Sequence, residues 1–257
     1  MEESLARNFT TVVFVFALMG IGRLGRGRDT VWLALAGIVV SLFFWIWLKL
    51  VGFVIGPSDA LILSEFPVAR DVVSQLLRAL FAVGTAIAAI RYLDVPSPLD
   101  WMEVRPPDVW DLGYILLGVF LLIIAALGSN ILIQNVLGLE RTMDGASLSN
   151  AVLWSRVGTL LLLVGPAEEV MFRGIIQRSL RDVIGRWPAI LFAGGLFGFL
   201  HIGIAATAPG DMLWLVALSL LGVILGWVYE RTNNLVVPAL AHGSFNSLTT
   251  ALPLLLG

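Results

Sequence analysis

Two adjacent carboxylates and a guanidinium stand in the stretch Pro166-Ala167-Glu168-Glu169-Val170-Met171-Phe172-Arg173-Gly174, directly after the apolar run from Val157 to Val164. Ionisable groups in a membrane-spanning segment cost at least a few kcal/mol each, so a segment that carries three of them is expected to use them. Adjacent helical residues diverge by about 100°, so Glu168 and Glu169 cannot serve one site equally. Arg173 lies four residues after Glu169, one turn on and on the same face, which is the spacing of a carboxylate–guanidinium pair. Glu169 is therefore read as a structural carboxylate with Arg173, and Glu168 is left free to act.

The chain has two histidines, and each falls in an apolar stretch. His201 follows Leu196-Phe197-Gly198-Phe199-Leu200 in a run that also holds Gly194, Gly195 and Gly203. Glycines at such spacing let helices approach closely, which directs His201 into a helix bundle. His242 and Asn246 are four apart and share a helix face, so an imidazole and a carboxamide can aim donors at one place. Such a pair suits an oxyanion. The structural alternative for both is interhelical hydrogen bonding, typically worth about 0.6 kcal/mol in membranes.

The elements that must position these residues are membrane helices. Of 257 residues, 58% are hydrophobic and 13% charged, and the mean hydropathy is +0.93. Soluble domains carry about 25% charged residues. The expected fold class is all-α: a polytopic helix bundle, 1–257, in a single integral membrane domain, with the chemistry within 151–257. About 20 apolar residues cross a bilayer, which predicts eight spans: Asn8–Gly22, Thr30–Ile55, Val72–Leu93, Leu112–Ile133, Ala151–Phe172, Pro188–Ala206, Met212–Tyr229 and Leu235–Leu255. The first is read as a span rather than a signal peptide, because the residues before it, Met1-Glu2-Glu3-Ser4-Leu5-Ala6-Arg7, do not make a basic n-region and no Ala-x-Ala site follows.

One set of alternate loops holds Arg23, Arg26, Arg28, Arg91, Arg105, Arg173, Arg178, Arg181, Arg186 and Arg231; the other, with the N-terminal tail, holds Arg7, Arg70, Arg141 and Arg156. The richer set is expected in the cytoplasm of a multi-pass cell-membrane protein. From those ends, Glu168 and His242 come out about 10 Å deep and His201 about 20 Å. Lys49 and Arg78 lie within spans, and both are read as snorkelling or structurally paired. A net charge of −2 with dispersed basic residues gives no reason to expect nucleic acid. Without cysteine there is no disulfide and no thiolate nucleophile.

Taken in order, Glu168-Glu169-x-x-x-Arg173, Phe197-x-x-x-His201 and His242-x-x-x-Asn246 resemble the CPBP family of intramembrane proteases, which includes the type II CAAX prenyl endopeptidases, the Rce1-like proteins. Phe172, Gly174, Asn234 and Pro238 agree with the resemblance, which covers the C-terminal third to half of the chain. It implies a glutamate-dependent endopeptidase on an eight-helix bundle with a cavity open to the cytoplasm. Glu168 and His201 would hold and activate a water, and His242 with Asn246 would steady the oxyanion. A carboxylate kept from bulk water is the better general base, which agrees with this role. The substrate would be a membrane-associated peptide or protein, in the best-known relatives a prenylated CAAX protein, and membrane lipids would surround the bundle. No cofactor is expected: glutamate with two histidines is a conceivable zinc set, but HExxH is absent and the metal-free route is favoured. Two other readings compete, a proton-coupled transporter with a Glu168–His201–His242 relay and a non-catalytic membrane scaffold or immunity protein. No matching halves of the kind common in transporters are visible.

Overall fold

The structure is a computed structural model that describes residues 66–92, 95–141, 149–201 and 208–256. The expected spans Asn8–Gly22 and Thr30–Ile55, with Lys49, lie outside the described residues. Among the described residues all regular structure is helical. Helix α1 is Pro67–Tyr92, α2 the single turn Pro98–Trp101, and α3 Val109–Asn130, prolonged by a wide π turn over Ile131–Val136. Helix α4 runs over 150–184, α5 is Arg186–Leu200, α6 Pro209–Thr232 and α7 Val236–Leu256. Three segments among the described residues, Pro67–Arg91, Val109–Val136 and Pro209–Thr232, are long and apolar enough to cross a membrane.

Local chemistry sets the helix ends. Asp108 and Asp111 cap α3 reciprocally, each carboxylate accepting the other's backbone N–H at 2.9 and 3.0 Å. Ser149 accepts from the Val152 N–H at the start of α4. Gly185, at φ +85°, turns the chain between α4 and α5. Asn233 closes α6 at φ +43°, in the left-handed region that asparagine tolerates better than most residues.

Helix α4 is the axis of the bundle: α1, α5 and α7 all pack against it, while α6 lies along α5 and α3. It is not a uniform α-helix. Wide π turns over Leu160–Val164 and Val170–Gln177 flank the short α segment Gly165–Glu169 that carries both glutamates. The first wide turn precedes Pro166, which has no N–H to give and whose ring clashes with the carbonyl four residues back.

Three expectations change here. The helix that carries the expected span Ala151–Phe172 does not end with it: α4 continues through Arg178 and Arg181 to Ile184. Hydropathy falls at the charges, but Ile175, Ile176 and Leu180 stay buried against neighbouring helices and carry the helix on. Glu168 therefore lies roughly 20–25 Å from that helix end rather than about 10 Å. Arg173 is not a loop residue; it is fully buried in mid-helix, held there by Glu169. Helix α5 stops at Leu200, so His201 caps the helix rather than sitting inside it.

Candidate active site

Two glycines allow the site to form. A Cβ on Gly165 of α4 would sit 2.8 Å from the Gly243 backbone, and one on Gly243 of α7 would sit 2.8 Å from the Leu161 carbonyl. The two helices therefore touch backbone to backbone beside Glu168 and His242. The glycines of α5 act similarly on one face: a Cβ on Gly194 would meet the Val223 backbone at 2.7 Å, and Gly198 is pressed against Leu215 and Ser219 of α6. Gly195 faces open space, and Gly203 lies outside the described residues.

Across the α4–α7 contact, Glu169 makes two ties. Its Oε2 lies 3.1 Å from Arg173 Nε, both side chains being fully buried, although the N–H is misaligned for a hydrogen bond. Its Oε1 accepts from His242 Nδ1 at 2.9 Å. Arg173 also donates to the Gly222 carbonyl of α6 at 3.1 Å, so the buried pair joins three helices. The Glu169–Arg173 pairing matches the helical spacing; the Glu169–His242 bond, 73 residues apart in the chain, had no local signal.

Glu168 lies on the other side of the same imidazole, with Oε2 3.9 Å from His242 Nε2. The divergence of the two glutamates persists as this inequality, but both reach one ring. His201 Nδ1 lies 2.7 Å from the Phe197 carbonyl. A carbonyl can only accept, so Nδ1 carries the proton, and in the neutral ring Nε2 keeps its lone pair. Phe197 spaces the histidines, its ring centroid 4.7 Å from that of His201 and 5.5 Å from that of His242. Phe172 packs edge-on against Phe197 at 5.1 Å.

Glu168, His201, His242 and Asn246 all line one cavity of about 270 Å³. Leu122, Leu218, Leu221, Leu225 and Phe245 form its apolar wall. The four candidates thus meet in space, from α4, the end of α5 and α7. Gln75 and Arg78 of α1 line it as well. The reading of Arg78 as snorkelling or paired does not hold: it faces this cavity and makes no hydrogen bond or ion pair with any described residue. Its one sequence signal was a basic residue in the middle of an apolar span. No three His, Asp or Glu side chains among the described residues are grouped to hold a metal ion.

A second polar cluster lies where α4 and α6 end. Gln177, fully buried, donates to Glu230 and to the Gly226 carbonyl, both at 3.0 Å. Arg181 and Arg186 reach Glu230 at 3.5 and 3.0 Å, and Arg181 reaches Glu103 at 2.9 Å. Burial pulls the Arg181 guanidinium down, but the hydrogen bond and charge of Glu103, with Glu230, outweigh it and hold Arg181 above the usual arginine value.

An apolar chain, helical throughout its described regular structure, with carboxylates and imidazoles gathered at one cavity, is an integral membrane helix bundle with a polar site. Residues 150–248, which carry all four cavity residues of the site, match the type II CAAX prenyl endopeptidase Rce1-like family, a family of membrane CAAX-type proteases. The chain is 36% identical over 83 residues, 32% of its length, to the uncharacterized protein YpbD of Bacillus subtilis strain 168. It is 29% identical over 85 residues, 33% of its length, to the UPF0177 protein YxdF of Lactococcus lactis subsp. lactis strain IL1403. The matched stretch spans 38% and 42% of those relatives' own lengths. No solved structure matches.

Proposed function

We propose that this protein is an intramembrane endopeptidase that hydrolyses peptide bonds of membrane-associated substrates with a Glu168-activated water. The observation that carries the reading is the meeting of Glu168, His201, His242 and Asn246 in one cavity, within the segment that matches a protease family. The bundle is proposed to have eight spans in the cell membrane, with the cavity open to the cytoplasm. In support, Arg105, Arg178, Arg181 and Arg186 share one end through Thr232, Trp101, Glu103 and Glu230.

Each group has a defined task. The lone pair on His201 Nε2 accepts from the water and orients it. Glu168 takes the proton as hydroxide adds to the peptide carbonyl, and returns it to the leaving amine. The Asn246 carboxamide, which makes no side-chain hydrogen bond to a described residue, donates to the oxyanion. With Nδ1–H committed to Glu169, His242 offers an oxyanion donor only as the imidazolium, whose second N–H is then at Nε2 on the Glu168 side. Glu169 is thus a positioning residue that fixes the ring of His242.

The test is cleavage of a membrane-anchored reporter by purified protein in lipid nanodiscs. Glu168→Ala and His201→Ala should each abolish cleavage while leaving the unfolding midpoint near that of the wild type. Retained cleavage in either sinks the mechanism. Substrate-dependent ion flux without cleavage would turn the assignment to a transporter.

A further inference from the structure

Arg78 is the largest unused polar group facing the cavity. It stands on α1, outside the segment that matches the protease family, and every hydrogen-bond donor of its guanidinium is open among the described residues. Its electrostatic neighbours are Glu168, Arg156 and Asp71. Asp71 is already engaged by Arg156 Nε at 2.8 Å, and no oxygen of Glu168 comes close enough to Arg78 to form an ion pair. Gln75, three residues earlier and on the same helix face, lines the same cavity and leaves its carboxamide free of described partners. A guanidinium in an apolar bundle with no direct ion pair is costly even with the charge of Glu168 nearby, and a planar fork of free donors beside a free carboxamide is a receptor for a carboxylate.

We propose that Arg78, assisted by Gln75, binds a carboxylate of the substrate peptide close to the scissile bond, so that the cavity selects peptides by an anion as well as by apolar fit. The proposal rests on the peptidase reading above. A peptide carries carboxylates as its C-terminus or as Asp and Glu side chains, and either meets the same fork. Ligand pockets span roughly 300–1,000 Å³, and a cavity of about 270 Å³ admits only a short segment. The recognised carboxylate therefore lies within a few residues of the bond that is cut.

The experiment uses the full chain in nanodiscs and three membrane-anchored peptides with one common scissile segment: a free C-terminal acid, its amide, and the amide carrying an aspartate near the cut. Wild-type protein should favour at least one carboxylate form over the plain amide by tenfold or more in kcat/KM, chiefly through KM. Which form is favoured identifies the source of the carboxylate. In Arg78→Gln the ratio should fall to about one, and Arg78→Lys should retain part of it. An absent preference in the wild type overturns the proposal without any variant. So does a preference that survives Arg78→Gln, or an equal fall in kcat for all three peptides, which would make Arg78 a partner of Glu168 alone. A binding titration of the three peptides to Glu168→Gln protein, with and without Arg78→Gln, separates the two hypotheses. If no peptide is cut by the wild type, the peptidase reading fails; carboxylate-selective binding that needs Arg78 then still supports the subsite, and unselective binding overturns it.

Discussion

Two regions of this bundle bury ionisable groups in opposite ways. Where α3 begins and α4 and α6 end, the charges are paired: Asp111 takes Arg105 at 2.7 Å and the Asn234 carboxamide at 3.0 Å, and Glu230 takes Arg181, Arg186 and Gln177. In the cavity the same kinds of group are left open. Glu168 makes no close contact beyond the long approach to His242 and feels Arg78 and Arg173 as charges at a distance, Arg78 and Asn246 make no hydrogen bond or ion pair to a described side chain, and His201 uses one ring nitrogen. Pairing at the helix ends joins elements distant in sequence, as Asn234 joins Asp111. Open groups inside an apolar bundle are sustained only by packing around them, and a substrate is what would complete them. Glu169 lies between the two kinds, satisfied by Arg173 and His242 yet in contact with the site.

The sharpest way to break this contrast is to change one open group and one paired group. Glu168→Gln is expected to lower kcat of reporter cleavage by about 10³-fold, within the range of general-base removal, while the detergent unfolding midpoint stays near the wild-type value. Glu230→Ala should do the reverse. It strips the carboxylate from Arg186, Arg181 and Gln177 and should cost about 3 kcal/mol of stability, read by chemical unfolding, with turnover per folded molecule preserved. Asn246→Ala should reduce kcat by about 10²-fold through loss of an oxyanion donor, measured at saturating substrate so that binding does not enter. Gly194→Ala is the mildest. Its Cβ would meet the α6 backbone at 2.7 Å, and the overpacking should cost about 1–2 kcal/mol, seen as a lowered midpoint. A Glu168→Gln protein that loses stability but keeps activity would erase the distinction between the regions.

How much of this was legible depended on whether a contact is local. Glu169 and Arg173 are one turn apart, so helix geometry alone pairs them. His242 and Asn246 share a face for the same reason, and both line the cavity. The bond from Glu169 to His242 was not legible, because it depends on the close approach of Gly165 and Gly243 on different helices. Arg78 was seen as a basic residue in an apolar span, but whether it snorkels, pairs or faces a cavity depends on which side of α1 packs against α4. The end of α4 is not legible in hydropathy, which reads charge, whereas burial of Ile175, Ile176 and Leu180 extends the helix past the charges.

The sequence by itself determined the helical, apolar class, the helices at expected spans from Val72 onward, and the residues whose chemistry is unusual for their surroundings, since composition and the helical repeat are properties of the chain alone. Tertiary structure decided that one imidazole is shared between two adjacent glutamates, that His201 ends its helix, and that a guanidinium on α1 faces the proposed base. The first depends on how closely Gly165 and Gly243 let α4 and α7 approach, and the others on how neighbouring helices pack, which no local spacing encodes.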